Sequence, residues 1–481
     1  MKQLVKSASL IGFTEIAMVV VSIVRNKYLA VTIGPEGFGV YSLLSSFFGF
    51  MAIFAGVWLA TPTMKYIAEY NSNNDKDSVQ KVFDLSFVIV FFVATVLTIL
   101  FFVCAKIIKS EFLHPDVIFL HYALFAASYI STSLTSVFRS LFQAFKLVKK
   151  VVIIRIISNI FNLITVVILV YFFDLTGFFV NILVSSLFLL FLFWRDSKNL
   201  VKIRIVKLNF KDQIARKILS FGRVSIFLGF INLFSEYLRR IVIISYMSMS
   251  GLGLFQASFG LTKYLGVISN GATFYYSPKM SENININERN KVFNDYLRII
   301  LLSGSFFSVV SILFGKIAIQ ILYTDAFLPL SDIFYIFVIA QFMVSIQLAF
   351  QVIVVGMAKL KVHFLTTTIA HALIVIVPLF LIKKYGLWAV GFGAVVGSAQ
   401  HMFINFIYLR KQIGIKVKLD NITLLLMSVL FIGMAVAMKD VLIYYKFIII
   451  FVLSLLLLMN LKKEEKIYIA TYLKKKLNLS K

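Results

Sequence analysis

The sequence predicts an all-α polytopic membrane protein with about 14 transmembrane helices. The chain has 481 residues, of which 60% are hydrophobic and 14% are charged, and its mean hydropathy is +0.94. Its apolar residues are gathered into runs long enough to cross a bilayer, and its basic residues lie mostly in alternate segments between those runs. This composition is typical of proteins that bury many segments in lipid, and it excludes a soluble enzyme.

The apolar runs define the predicted helices. A helix rises about 1.5 Å per residue, so about 20 apolar residues cross the hydrocarbon layer. The fourteen predicted spans are 7–33, 38–61, 82–104, 117–138, 151–173, 175–194, 220–247, 251–276, 295–322, 328–355, 362–382, 386–408, 421–438 and 440–461. Asp174 and Gly177 interrupt one long apolar stretch, and Lys439 and Asp440 interrupt another, so we expect a tight hairpin at each place.

The distribution of Lys and Arg predicts the orientation. With Lys2 and Lys6 in the cytoplasm, the inner segments contain 33 basic residues and the outer segments contain 7. Cytoplasmic segments of membrane proteins carry this excess. We therefore expect a multi-pass protein of the cell inner (cytoplasmic) membrane with both termini in the cytoplasm. Because topology accounts for most of the net charge of +27, nucleic acid is not an expected partner.

An internal repeat divides the chain into two related halves. At an offset of 214 residues, Arg25 falls on Arg239, Gly37 on Gly251 and Gly39 on Gly253. We therefore predict an N-lobe at 1–194, a basic cytoplasmic linker at 195–219, a C-lobe at 220–410, a C-terminal helix pair at 411–461 and a basic cytoplasmic tail at 462–481. Each lobe contains six predicted spans.

No sequence motif indicates catalysis. The chain lacks a phosphate-binding loop, a His-Glu-x-x-His motif, a Gly-x-Ser-x-Gly motif and any metal-spaced set of cysteines and histidines. Its single cysteine, Cys104, excludes a disulfide within the chain. We therefore expect no catalytic residues, no metal and no cofactor. His371 and His401 lie within predicted spans, where either ordinary hydrogen-bonded packing or proton transfer remains open.

Charges deep in the predicted spans are the candidate functional residues. Four are cations and two are carboxylates, and each costs about 2.5 kcal/mol or more unless it faces a wet cavity or a partner. The cations are Arg25, Arg239, Arg240 and Lys263, and the carboxylates are Glu15 and Glu236. The excess of positive charge predicts a cavity that binds an anion, such as a phosphate or a carboxylate. The carboxylates are candidates for proton or ion coupling. Alternatively, Glu236 forms a structural ion pair with Arg239 or Arg240, at helical spacings of three and four.

The first seventy residues resemble a known family. Arg25 is followed by the sequence GPEGFGVY at 34–41, and Pro62 by YIAEY at 66–70. This pattern is similar to the first two helices of the polysaccharide flippases, the Wzx-type translocases of O-antigen and capsule repeat units. These proteins belong to the multidrug/oligosaccharidyl-lipid/polysaccharide (MOP) exporter superfamily.

The resemblance implies a fold and a function. It implies two six-helix lobes forming a V around a cationic central cavity, with two further C-terminal helices. The implied cargo is a polyprenyl-pyrophosphate-linked oligosaccharide repeat unit, which moves to the outer leaflet by alternating access. Implied partners are membrane lipids, a polysaccharide polymerase and a chain-length regulator. The position of Arg25 lines the cavity in similar flippases.

Two alternatives within the superfamily stay open. A cation-coupled exporter of drugs or metabolites is one, and Glu15 in the first helix is the residue that supports it. A lipid II flippase is less expected, because the chain lacks the dense set of charged residues that follows the first helix in that protein. A membrane glycosyltransferase or polymerase would need catalytic acids or a large outer loop, and no predicted outer segment much exceeds about a dozen residues.

Overall fold

The described part of the protein is built from helices. The computed structural model describes residues 18, 20–54, 57–103, 119–204, 212–281, 285–357 and 359–459. In chain order we label the helices α1 (20–32), α2 (Gly34–Phe54), α3 (Ala60–Ser72), α4 (Lys76–Val103), α5 (Phe119–Ala144), α6 (Val148–Ser197), α7 (Gln213–Tyr246), α8 (Met249–Ser281), α9 (Ile286–Leu322), α10 (Phe334–Gly356), α11 (Leu360–Tyr385), α12 (Leu387–Tyr408), α13 (Leu419–Ala437) and α14 (Ile443–Met459). Short 3-10 helices lie at Val57–Leu59 and Asp325–Asp332. The all-helical fold class is thereby confirmed.

Eight of the described helices are long and apolar enough to span a membrane. They are α2, α4, α6, α9, α10, α11, α12 and α13. The long helices α5, α7 and α8 are not among them, although the sequence predicts a span in each. These three helices contain charged side chains, including Arg139, Arg240 and Lys263.

The break between α1 and α2 follows from three consecutive residues. Gly34 has φ +58, a left-handed conformation that glycine adopts without strain and that commonly ends a helix. Pro35 then lies in the first turn of α2, where its missing N–H costs nothing. Glu36 places a negative charge at the positive end of the helix dipole. The GPEG sequence thus ends one helix and starts the next within four residues.

The chain turns at both places where a hairpin is predicted. Inside α6, Asp174 is non-helical (φ 47, ψ −130). The chain reverses direction there, as shown by the hydrogen bond that Thr165 Oγ1, before the break, donates to Asn181 Oδ1, after it, at 2.6 Å. Between α13 and α14 the turn occupies 438–442 and contains the predicted Lys439 and Asp440. A similar reversal joins α11 to α12 at Gly386 (φ 53).

Side-chain caps lie at two of the helix starts that precede the predicted apolar runs. α4 starts at Lys76 rather than 82, because Asp75 Oδ1 accepts a hydrogen bond from the Ser78 N–H at 2.9 Å. α9 starts at Ile286 rather than 295, and Asn285 Oδ1 accepts from the Glu288 N–H at 2.9 Å in the same way. These side-chain caps extend each helix by polar turns outside the hydrophobic run.

The chain divides into two compact units. Unit 1 comprises Met1–Leu261, Ile319–Leu330 and Phe364–Gly397, and unit 2 comprises Thr262–Ala318, Ser331–His363 and Ser398–Lys481. Within unit 1, helices α3, α4, α5 and α6 enclose a core of buried residues that includes Ile67, Phe83, Phe138 and Phe142. The predicted lobe boundary at 195–219 stays a prediction.

In unit 2 the C-terminal helix pair docks on α9. The Asn294 side chain donates to the carbonyl oxygens of Asn290 and Lys416, both at 2.8 Å, and accepts from the Lys418 N–H at 2.7 Å. Asn421 Nδ2 also donates to Asn294 Oδ1, at 3.0 Å. A single buried asparagine therefore fixes the chain segment that leads into α13.

The repeat-related helices α2 and α8 touch inside unit 1. A Cβ built on Gly39 would lie 2.9 Å from the carbonyl carbon of Met249, and one built on Gly253 would lie 2.6 Å from the carbonyl carbon of Pro35. Pro35 and Met249 are separated by 214 residues, as are Gly39 and Gly253. The repeated glycines therefore form one reciprocal crossing, which allows the two backbones to approach more closely than any side chain would permit.

Candidate functional site

Arg25 lies on α1 and is half-buried. Its Nη1 atom is 3.5 Å from Asn162 Oδ1 on α6, the outer limit of a hydrogen bond, and its Nε has no hydrogen-bond partner. Within the described part of the chain, Arg25 forms no ion pair. Among the described residues, an amide oxygen is thus the one polar group that contacts this guanidinium.

Lys27, two residues further along α1, has a different environment. Its Nζ donates to the carbonyl oxygens of Tyr323 and of Gln320, the latter at 3.5 Å. These carbonyls lie at the C-terminal end of α9, where the helix dipole favours a cation. Lys27 is therefore occupied in capping a helix, whereas Arg25 is not.

Arg239 and Arg240 on α7 share one carboxylate. Arg239 Nη2 lies 2.9 Å from Glu236 Oε1, and Arg240 Nη1 lies 2.7 Å from Glu236 Oε2. Both arginines are buried, at 5% exposure each. The ion pair that the sequence left open is present, and it involves both arginines rather than one. Because one carboxylate neutralises one charge, a unit of positive charge remains in this cluster.

Aromatic and hydroxyl groups hold the two guanidinium groups. The Cζ atom of Arg239 lies 5.0 Å from the ring centroid of Phe255 and 5.5 Å from that of Phe259, within the range of cation–π attraction. Arg240 Nε donates to Ser42 Oγ at 2.9 Å, and Ser42 Oγ donates in turn to Gln256 Oε1 at 2.9 Å. Ser42 and Gln256 are again 214 residues apart, so Arg240 joins equivalent positions of the two repeats.

The remaining candidates from the sequence lie on helices other than α7 or outside the described residues. Lys263 on α8 is exposed and belongs to unit 2. Glu15 lies outside the described residues. His371 of α11 contacts Ser235 Oγ through Nδ1 at 2.7 Å, and its role stays a prediction. His401 of α12 is buried.

A cavity of about 470 Å³ lies inside unit 1, between α2 and α5. One face of α5 lines it, with polar side chains that recur every three or four residues. The polar residues of α5 that line the cavity are Ser128, Tyr129, Thr132, Ser133, Ser136, Arg139, Ser140 and Gln143. From α2, Ser45 and Gly49 contribute to the opposite wall. We call this space the hydroxyl-lined cavity.

Arg139 is the residue that sequence reasoning missed. In the sequence it counts as one of the basic residues of an inner segment, since it follows the predicted span 117–138. In the structure α5 continues to Ala144, and Arg139 lines the cavity with no hydrogen-bond or ion-pair partner among the described residues. The sequence does contain one indication of this position: Arg139 is three residues after Ser136 and four before Gln143, so all three side chains lie on one helix face.

A second cavity of about 380 Å³ adjoins the first and is apolar. The two share Phe48 and Tyr129 among their lining residues. The other lining residues of this aromatic cavity are Phe47, Phe50, Met51, Leu97, Thr98, Leu100, Phe101, Phe234 and Tyr237. Unit 1 therefore contains a polar space and an apolar space side by side, and no carboxylate of the described residues lines either one.

Solved structures with this fold are membrane transporters. The lipid II flippase MurJ, in an inward closed conformation, matches with a TM-score of 0.75 at 13% identity, covering 97% of this chain and 98% of that one. An inward-facing multidrug resistance MATE transporter of the MOP superfamily matches with a TM-score of 0.70 at 14% identity, covering 82% and 94%. A MOP superfamily transporter from Pyrococcus furiosus matches with a TM-score of 0.63 at 14% identity, covering 85% and 96%. The protein thus has the fold of the MOP-superfamily membrane transporters.

The sequence comparison narrows this class to a family. The family model described as polysaccharide biosynthesis protein matches residues 4–283, which is more than half of the chain. The chain therefore belongs to the polysaccharide biosynthesis protein family, and the resemblance seen in its first seventy residues is confirmed. No curated protein matches the chain.

Proposed function

We propose that this protein is a flippase for a lipid-linked oligosaccharide. It moves a polyprenyl-pyrophosphate-linked repeat unit from the inner to the outer leaflet of the cytoplasmic membrane, by alternating access and with both termini in the cytoplasm. The product serves the synthesis of O-antigen, capsule or exopolysaccharide. A polymerase and a chain-length regulator are the proposed downstream partners.

The observation that carries this proposal is the unbalanced positive charge of the described helices of unit 1. Arg25 has only an amide oxygen nearby, and the two arginines of α7 share one carboxylate. A cation inside a membrane protein is stable when it faces water or an anionic ligand. A pyrophosphate supplies several oxygens that accept the paired N–H groups of a guanidinium. Membership in the polysaccharide biosynthesis family supports the same cargo.

Arg25 and the Arg239–Arg240–Glu236 cluster have different proposed roles. Arg25 is proposed to contact the pyrophosphate or an acidic sugar directly, because its guanidinium has unused donors. Arg239 and Arg240 extend the positive surface but are held by Glu236, and Lys263 is proposed to attract the anionic headgroup from its exposed position.

Coupling to an ion gradient is less well supported at Glu236 than at Glu15. Both carboxylate oxygens of Glu236 accept hydrogen bonds from arginines, so a proton or sodium ion would have to displace a guanidinium. Loss of this carboxylate charge would leave two buried cations without a partner, which is costly. We therefore propose a structural role for Glu236 and keep Glu15 as the coupling candidate.

The test is transport by the full chain in proteoliposomes. A fluorescent polyprenyl-pyrophosphate-linked saccharide is placed in one leaflet, and its transfer rate to the other is measured. We expect Arg25→Ala to lower the rate about tenfold or more, since a charge-assisted contact is lost. Arg25→Lys keeps the charge but loses the planar fork, so its rate should lie between those of Arg25→Ala and the wild type.

Arg195→Ala is the matched control, because it removes an arginine whose side chain is 52% exposed and paired with Asp196 on the surface. Its rate should equal that of the wild type. If Arg25→Ala inserts normally and transports at the wild-type rate, the cationic binding mechanism is wrong. If the wild-type protein moves no lipid-linked saccharide, the proposed function itself is wrong.

A further inference from the structure

We infer that the hydroxyl-lined cavity of unit 1 is the subsite for the glycan, and that Arg139 makes it select a glycan with an acidic group. This inference rests on the proposed function and specifies which part of the cargo binds where. The residues involved are Arg139 and the polar face of α5, which include none of the deep cations Arg25, Arg239, Arg240 and Lys263. The relevant contacts all lie within unit 1.

Serine and threonine hydroxyl groups on the cavity face of α5 donate their protons to carbonyl oxygens of the same helix. Thr132 Oγ1 donates to the Ser128 carbonyl at 2.8 Å, Ser136 Oγ to the Ser133 carbonyl at 2.6 Å, and Ser140 Oγ to the Ser136 carbonyl at 2.9 Å. A hydroxyl has one proton and two lone pairs. Since the proton is used within the helix, each hydroxyl offers acceptor lone pairs to the cavity.

A row of acceptors fits a ligand with many hydroxyl donors. Sugars have such donors on every ring, whereas an ionised pyrophosphate diester or a hydrocarbon chain has none at neutral pH. Ser45 on the facing helix repeats the pattern, because its Oγ donates to the Ser42 carbonyl at 3.0 Å. Both walls of the cavity therefore present acceptors, and the volume of about 470 Å³ is in the range of sites for small ligands.

Arg139 adds a positive charge to the hydroxyl-lined cavity. It is exposed and lines the same cavity, one residue before Ser140, with no hydrogen-bond or ion-pair partner among the described residues. Gln143, one turn further along, adds amide donors. A guanidinium beside a row of acceptors matches a carboxylate or phosphate carried on a sugar ring. On the predicted orientation this end of α5 is the cytoplasmic end, from which the cargo enters.

The neighbouring aromatic cavity shares Phe48 and Tyr129 with the hydroxyl-lined cavity. Its remaining lining is almost entirely apolar, and Leu100 at its edge is 50% exposed on α4. A polar space beside an apolar one suits an amphiphile, whose saccharide and hydrocarbon parts need different surroundings. In unit 2, the cavity lined by Ser269, Ser308 and Ser345 has a volume of only about 10 Å³, too small for a sugar.

Gly49 provides a direct test. It lines the hydroxyl-lined cavity, and a Cβ built on it would meet no atom within 4 Å. Gly49→Leu should therefore fill the cavity without a clash at the helix. Gly433→Leu on α13 is the matched control, because that glycine is exposed and also has no atom within 4 Å of its Cβ. Thr132→Leu is a second filling variant if Gly49→Leu does not reach the membrane.

Binding to the full chain in lipid nanodiscs is measured with three probes. They are a short-chain polyprenyl pyrophosphate without sugar, the same lipid with a neutral disaccharide, and the same lipid with a disaccharide that contains a uronic acid. We expect affinity to rise in that order. Gly49→Leu should weaken binding of the two glycosylated probes about tenfold and leave the sugar-free probe unchanged. Arg139→Gln should remove the preference for the acidic glycan only, and Gly433→Leu should change nothing.

The outcomes separate this inference from the proposed function. If the wild type binds the sugar-free probe as tightly as the glycosylated ones, or if Gly49→Leu weakens all three equally, the glycan subsite is wrong while the flippase proposal stands. If Arg139→Gln leaves the preference for the acidic glycan intact, the role of Arg139 is wrong. If the wild type binds none of the probes, the proposed function fails and the subsite fails with it.

Discussion

The crossing of α2 and α8 gives the sharpest prediction about stability. In Gly253→Ala the new Cβ would lie 2.6 Å from the carbonyl carbon of Pro35, about 1 Å inside ordinary van der Waals contact. The atoms in the way belong to a helix backbone, which cannot rotate aside as a side chain can. The helices must therefore move apart, and other contacts at the crossing are lost. We expect a destabilisation of about 1–3 kcal/mol or more.

The reciprocal contact adds a second expectation. Gly39→Ala should destabilise by a similar amount, because its Cβ would meet the Met249 carbonyl carbon at 2.9 Å. Once one alanine has separated the helices, the second enters space that is already open. The double variant should therefore lose clearly less stability than the sum of the two single variants, as expected for residues that share one contact.

The assay is thermal unfolding of the purified full chain in detergent, followed by the loss of monodisperse protein. Gly433→Ala is the control, since nothing lies within 4 Å of its Cβ and helix propensity alone should make it neutral or slightly stabilising. If Gly253→Ala unfolds at the same temperature as Gly433→Ala, the close crossing does not exist. If the effects of the two alanines add fully, the contacts are independent and the reciprocal geometry is wrong.

Three further predictions concern other parts of the chain. Glu236→Gln should destabilise the protein by about 3 kcal/mol, because two buried arginines lose their counter-charge, and a further variant that removes one of those arginines should recover part of the loss in the same assay. Asn294→Leu should remove its four side-chain hydrogen bonds, at about 1 kcal/mol each, and expose the segment before α13 to limited proteolysis. Reporter fusions after Arg204 and Lys416 should be cytoplasmic and one after Asp325 extracytoplasmic, and an outer location for the first would contradict the whole topology.

The sequence alone determined the spans, turns and helix starts, because each of these depends on residues that are adjacent in the chain. Runs of apolar residues located the spans, and the interruptions at Asp174 and Lys439 located two hairpins, because a polar turn and a hydrophobic run are local properties. The helix starts at Lys76 and Ile286 lay outside the apolar runs, yet the capping residues before them are also visible in the sequence. The offset of 214 residues disclosed the repeat without any structure.

Only the tertiary structure decided what surrounds each deep charge. Spacing allowed Glu236 to pair with either arginine of α7, but the side-chain geometry engages both at once. Arg25 and Arg239 hold the same register in the repeat, yet among the described residues Arg25 contacts an amide and Arg239 a carboxylate. The carboxylate beside Arg239 comes from its own helix, three residues away, whereas the amide beside Arg25 comes from α6, more than a hundred positions further along the chain. Only packing of distant helices could decide the second environment. Arg139 likewise becomes part of a cavity only because α2 and α5 pack with a gap between them, and no local pattern encodes an empty volume.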